Sequence, residues 1–208
     1  MLDGLMRRLI DPPLNRAGAL LARRGFGADG VTVAGLVFGV GCAAAIAASA
    51  DAIALLLLAL SRLCDGLDGA IARATEKTDR GGFLDIVFDF VFYGAVPLGF
   101  ALREPALFGL PAAALLFAFY VNGASFLAFA AIAAKRGMES AARGVKSIYF
   151  TAGLAEGTET ILAFALMILF PEWFPLIAYF FAGLTLMTAI SRIAFAAVLF
   201  REEEDEER

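Results

Sequence analysis

Cys64-Asp65-Gly66-Leu67-Asp68-Gly69-Ala70-Ile71-Ala72-Arg73 and, seven residues further on, Gly81-Gly82-Phe83-Leu84-Asp85-Ile86-Val87-Phe88-Asp89 place four carboxylates inside a chain that is otherwise lipid-like. Ionisable side chains are costly within membrane segments and face a polar cavity or a partner, so the run reads first as a functional site. On helices, Asp65 and Asp68 are three apart and Asp85 and Asp89 four apart, so each pair shares a face. Two such faces brought together concentrate four negative charges and call for a cation. Hard divalent ions take oxygen ligands of this kind. The chain has no histidine and only two cysteines, Cys42 and Cys64, too few for a zinc site. Mg2+, or Mn2+, is the ion these ligands favour.

Composition sets the compartment. With 61% hydrophobic residues and 20 Phe against 18% charged residues, a soluble domain of 208 residues has no interior large enough for so much apolar surface. The expected fold is all-α, a polytopic membrane helical bundle. About 20 apolar residues are needed per span, and six segments qualify, at about 30–50, 52–73, 82–102, 107–133, 147–170 and 174–200. They form one domain, 1–200, which opens with an interfacial amphipathic helix over 1–26. There Leu5, Leu9, Ile10, Leu14, Leu20 and Leu21 alternate with Arg7, Arg8, Arg16, Arg23 and Arg24, which suits a helix lying at headgroup level. A solvated basic arm is the simpler alternative. No cleaved signal peptide is expected, because the arginines are scattered rather than clustered before an apolar core. The acidic end 201–208 reads as a disordered tail.

Basic residues orient the spans. Arg7 to Arg24, then Arg73, Lys77 and Arg80, then Lys135, Arg136, Arg143 and Lys146, and finally Arg201 fall on one side, with Arg103 alone in a loop on the other. By the positive-inside rule both termini and the aspartate loop are cytoplasmic. A nucleic-acid partner is not expected.

The spacing Asp65-x-x-Asp68-Gly69-x-x-Ala72-Arg73, seven residues, Gly81-x-x-x-Asp85-x-x-x-Asp89 resembles, without a gap, the signature of the CDP-alcohol phosphatidyltransferase family, and all eight motif positions match. The resemblance implies the six-span architecture, with a homodimer as its assembly. It also implies transfer of a phosphatidyl group from CDP-diacylglycerol, or a related CDP-linked donor, to a hydroxyl acceptor with release of CMP, in phospholipid biosynthesis. The mirror reaction, a CDP-activated small alcohol passed to a lipid hydroxyl, uses the same motif. Gly69, Ala72 and Arg73 would hold the cytidine diphosphate. Asp65, Asp68 and Asp85 would ligate two Mg2+ or Mn2+ ions, with Asp89 near the second ion and acting as general base.

Each residue also has a plainer reading. Gly69 and Ala72 suit a close helix crossing, Arg73 a topology signal, and the aspartates ion pairs with Arg62, Arg73 or Arg80. Arg62, three residues before Asp65, either orients that carboxylate or satisfies a polar interior. Cys64 reads as a packing residue, since no histidine is present to activate it. A rival of another class is a cation-coupled transporter or channel with an acidic ion site.

Two further regions bear on substrate. Gly27-Ala28-Asp29-Gly30-Val31-Thr32 opens the first span where the family often carries Pro-Asn-x-x-Thr; Thr32 matches, whereas Ala28 and Asp29 depart, and Asp29 is equally a helix N-cap. Further on, Arg136, Arg143 and Lys146 precede Glu156 and Glu159 in a polar approach to the fifth span. The basic residues suit a phosphorylated alcohol and the glutamates the hydroxyls of a neutral polyol. As alternatives they are topology charges, or polar packing pairs with Arg192.

Overall fold

Residues 3–137 and 156–206 are described by a computed structural model, with side chains over 8–137 and 156–201. These residues form α1 (Asp3–Arg23), α2 (Ala28–Ala47), α3 (Asp51–Ala74), α4 (Asp79–Arg103), α5 (Pro105–Lys135), α6 (Gly157–Leu169), a 3-10 turn over Pro171–Trp173 and α7 (Phe174–Glu206), with no strand among them. Local signals account for several boundaries. Gly25 closes α1 at φ +86, and the amide of Phe26 returns to the Leu21 carbonyl, the left-handed stop that glycine adopts without strain. Thr78 caps α4 by accepting from the Gly81 amide at 3.0 Å. Pro105 begins α5, where its missing N–H costs nothing. Asp29 is not the N-cap of α2. Gly27 occupies that position without a side-chain bond, and Asp29 sits in the first turn, where a carboxylate still complements the helix dipole.

Small residues decide how the helices cross. In lipid, helices associate through close packing rather than through exclusion of apolar surface from water, so glycine at a crossing brings backbones together. α2 packs on both α3 and α4. A Cβ at Gly35 would lie 3.2 Å from that of Cys64 on α3, and one at Gly39 would lie 2.8 Å from the Phe92 ring on α4. Ser61 reinforces the first crossing by donating to the Gly35 carbonyl at 2.9 Å. At the far end of α4, a Cβ on Gly99 would meet the Ala43 carbonyl oxygen at 2.6 Å. α1 also has a partner: a Cβ at Gly18 would come within 2.6 Å of the Ala70 Cβ, and Leu14 packs against Gly66.

α5 runs beside α4 and α7, and α6 brings Phe164, Met167 and Ile168 into the middle with no exposed surface. Phe164 meets Phe92, Tyr93 and Phe119 at ring separations of 5.7–6.2 Å. Phe100 stacks on Phe174 at 4.2 Å. Outward positions are equally apolar, with Leu110 and Phe180 exposed by 73% and 66%, the surface that a bilayer covers.

Among the described residues four stretches are long and apolar enough to cross a membrane: α2, α4, α5 and Pro171–Arg201. The chain is thus a multi-pass integral membrane protein. α3 has the length, 24 residues, but holds Asp51, Arg62, Asp65, Asp68 and Arg73, and α6 is 13 residues long. α7 continues to Glu206, into the acidic end expected to be disordered. Extending an existing helix costs far less than starting one, and Glu is a good helix former.

The Gly99 crossing yields a test. Gly99→Ala forces α2 and α4 apart and is expected to cost about 1–3 kcal/mol, whereas Gly109→Ala, with nothing within 4 Å of the added Cβ, is expected to be neutral or slightly stabilising. Thermal unfolding of both variants in detergent checks this; equal melting temperatures would contradict the backbone contact.

Candidate functional site

The acidic residues lie where α3 and α4 face each other across the start of α2. Asp65, Asp85 and Asp89 each offer a carboxylate oxygen, and the three oxygens lie within 4.8 Å of one another. Asp68 lines the same pocket, together with Thr32, Ser61 and Arg62. Its Oδ1 accepts from the Gly69 amide at 2.5 Å, while its Oδ2 is buried without a hydrogen-bond partner. Thr32 turns its own hydroxyl to the Ala28 carbonyl at 3.0 Å.

These ligands fit a divalent cation. Around an octahedral Mg2+ neighbouring oxygens stand about 2.9 Å apart and opposite ones about 4.2 Å, so the three oxygens would have to draw together to share one ion. An unpartnered carboxylate oxygen in a buried position is costly to leave so, and a cation answers it. Asp85 is exposed while Asp65 and Asp89 are half-buried, so the cluster is open on one side.

Of the three arginines considered as partners, one reaches the aspartates. Arg62 Nη1 lies 3.1 Å from Asp89 Oδ1 and 3.6 Å from Asp65 Oδ1. Arg80 pairs instead with Asp29 at 3.7 Å. Arg73, in the last turn of α3, donates from Nε and Nη2 to Asn15 Oδ1 on α1 at 3.1 and 2.9 Å. Its Nη1 passes 3.3 Å from where a Gly69 Cβ would stand, and nothing else lies within 4 Å of that point. Gly69 therefore leaves open space beside Arg73. Ala72, in the turn before Arg73, is half-buried.

The residues considered for an acceptor are less gathered. Arg136 donates to the Phe200 carbonyl at 3.2 Å and lies over the Phe200 ring at 5.0 Å, at the end of α7. Arg143 and Lys146 lie outside the described residues. Glu156 stands at the N-cap position of α6 without a side-chain capping bond and Glu159 is in its first turn, both half-buried. Arg192 donates to Asn122 and Ser125 on α5. Cys64 is a free thiol against Gly35, in keeping with packing.

Sequence reasoning missed Asn15 and Ser61. Asn15 lies 58 positions from Arg73 and Ser61 lies 26 from Gly35, and neither has a local pattern that announces its partner.

The sequence profile of the CDP-alcohol phosphatidyltransferase family matches residues 27–191. An inner membrane protein of Escherichia coli, YnjF, is 46% identical over 193 residues, 93% of this chain and 94% of that one. Archaetidylinositol phosphate synthase of Pyrococcus horikoshii is 33% identical over 98 residues, 47% of this chain and 52% of that protein. The phosphatidylinositol phosphate synthase of Mycobacterium tuberculosis, solved with CDP-diacylglycerol bound, superposes with a TM-score of 0.65 over 88% of this chain and 92% of that one, at 18% identity. The first two likenesses are in sequence and the third is in fold. None of them supports a transporter or channel. With its profile match running from the N-cap of α2 into α7 and its eight motif residues on α3 and α4, the chain belongs to the CDP-alcohol phosphatidyltransferase family.

Proposed function

We propose that this protein transfers a phosphatidyl group from CDP-diacylglycerol to the hydroxyl of a phosphorylated polyol, releasing CMP on the cytoplasmic side of the membrane. The observation that carries the reading is the convergence of Asp65, Asp85 and Asp89 oxygens within 4.8 Å, beside a buried Asp68, in a chain of this family. The acceptor hydroxyl attacks the lipid-bearing phosphorus, the bond to the bridging oxygen breaks, and CMP departs with that oxygen. Asp89 takes the hydroxyl proton, which requires hydrogen-bond reach to the acceptor. Arg73 binds a donor phosphate with its planar fork, over the space left by Gly69 and Ala72. Asp65, Asp68, Asp85 and Asp89 would hold two Mg2+ or Mn2+ ions. A bound divalent ion supplies counter-charge to the pyrophosphate and orients it.

Six spans, with α3 and α6 among them and α1 at the interface, put the aspartates near the side that carries most basic residues, which supports a cytoplasmic site. Arg103, the basic residue expected on the other side, pairs with Asp51 through two hydrogen bonds. The phosphorylated acceptor is supported by Arg136, Arg143 and Lys146, and by the likeness to an archaetidylinositol phosphate synthase in sequence and to a phosphatidylinositol phosphate synthase in fold.

Chelation is expected to abolish CMP release from labelled CDP-diacylglycerol, and Mg2+ or Mn2+ to restore it; full turnover in excess chelator would overturn the site. Asp65→Asn and Asp85→Asn are expected to lose metal binding along with turnover. Asp89→Asn should lower kcat by about 10²- to 10⁴-fold, the contribution of a general base, with donor binding better retained.

A second set of variants tests the acceptor. Removing Arg136, Arg143 or Lys146 should raise the acceptor's KM and spare that of the donor, and Arg73→Ala should do the reverse. The expected size is about tenfold to a hundredfold, from about 1.5–3 kcal/mol per charged hydrogen bond. If the basic variants leave acceptor kinetics unchanged while Glu156→Gln or Glu159→Gln impairs them, the acceptor is an uncharged polyol.

A further inference from the structure

We propose that Arg62 is the resident counter-charge of the acidic site: it holds Asp65 and Asp89 close together before any ion arrives, and its charge weakens the binding of that ion. The inference rests on the metal reading above and adds to it a positioning residue outside the eight-residue motif.

Arg62 is fixed from several sides. Nη1 contacts both carboxylates, Nη2 donates to Ser61 Oγ at 3.2 Å, and the guanidinium carbon lies 4.0 Å from the centre of the Phe92 ring. Ser61 is itself fully buried and bonded to α2, and Phe92 is 1% exposed, so the group is braced by α3, α4 and, through Ser61, by α2. The side chain is 18% exposed, unlike an arginine that reaches out to mark topology. Nε is buried without a hydrogen-bond partner. A buried donor left unmet is unfavourable, and an apolar side chain of similar volume would avoid it. What the apolar side chain lacks is the charge. That charge acts on neighbours that repel one another, and its planar fork reaches two carboxylates at once, which a single ammonium does less well. A cation between Asp65 and Asp89 keeps them gathered when no ion is bound. The same positive charge opposes a divalent ion entering beside it, an effect that is large at distances of a few ångströms in a partly buried site.

The test measures Mn2+ binding to the purified full-length protein in detergent, without donor, by the loss of the free-ion resonance signal, alongside CMP release. Arg62→Met is expected to bind Mn2+ about tenfold more tightly or better, since one opposing charge is gone, while kcat falls and the donor's KM changes less. A residue that only scaffolds the pocket would weaken Mn2+ and kcat together. Unchanged or weaker Mn2+ binding in folded Arg62→Met overturns the inference. Should that variant not fold, Arg62→Lys decides. It keeps the charge, so its Mn2+ affinity should match the natural protein while kcat drops; tightened binding overturns the inference. Asp65→Asn separates the two readings. If it abolishes Mn2+ binding while Arg62→Met leaves binding unchanged, the metal site stands and the role of Arg62 falls. If it binds Mn2+ as the natural protein does, the metal reading falls and takes this inference with it.

Discussion

Everything in this bundle is arranged around a repulsion. Asp65, Asp85 and Asp89 present oxygens within 4.8 Å of one another, with Asp68 beside them. Like charges at such distances in a partly buried site repel by several kcal/mol per pair, on the order of 4 kcal/mol at 4 Å with an effective dielectric constant of 20. Helix packing has to hold α3 and α4 against that force. α2 does so from the side, with Gly35 admitting Cys64 and Gly39 admitting Phe92. Van der Waals contact between helices is the main association force available in lipid, and glycine at the crossings increases it. Arg62 then relieves the repulsion at its centre.

A second fixed point lies at the other end of the same helices. Asp51 opens α3 and Arg103 closes α4, and they pair through both carboxylate oxygens. Asp51 is 14 residues from Asp65, about 21 Å along a helix. Two helices pinned at both ends cannot slide past each other without breaking one pairing, and a slip of one residue would turn each carboxylate by about 100° away from its neighbours. Between the pins, Phe92, Phe100, Phe164 and Phe174 are buried, so the register is also packed in place.

What could be read from the sequence was local. Shared faces for Asp65 and Asp68, and for Asp85 and Asp89, follow from helical periodicity, and the hydropathy runs located α2, α4, α5 and α7 to within a few residues. Pairings over long separations could not be read. Nothing near Asn15 announces Arg73, and Arg62 could be tied by spacing to Asp65 but not to Asp89, 27 residues on. α1 reads from its leucines and arginines as a surface helix, yet Gly18 and Leu14 meet Ala70 and Gly66 of α3; a glycine contact leaves no hydropathy signal. Asp29 reads as a cap by residue type, but capping depends on backbone conformation, and the helix begins two residues earlier than that role requires. The helical backbone of 201–206 escaped for a different reason, since composition reports solvation and not whether a helix upstream is there to be extended.

α3 shows how one residue type serves two ends. Arg62 and Arg73 are eleven residues apart, close to three full turns, so they fall on nearly the same face about 16 Å from each other, with Asp65 and Gly69 between them. Arg62 contacts two carboxylates, and its charge is largely answered within the protein. Arg73 is exposed, and its hydrogen bonds among the described residues go to the neutral amide of Asn15. An amide orients a guanidinium without neutralising it. Among the described residues the charge at the end of the helix is therefore not met by a carboxylate, while the charge in the middle is. A helix ordered as arginine, carboxylates, glycine and arginine thus carries along one line the aspartates and the arginine to which the proposed function gives ion and phosphate binding, with a cation already set among the carboxylates.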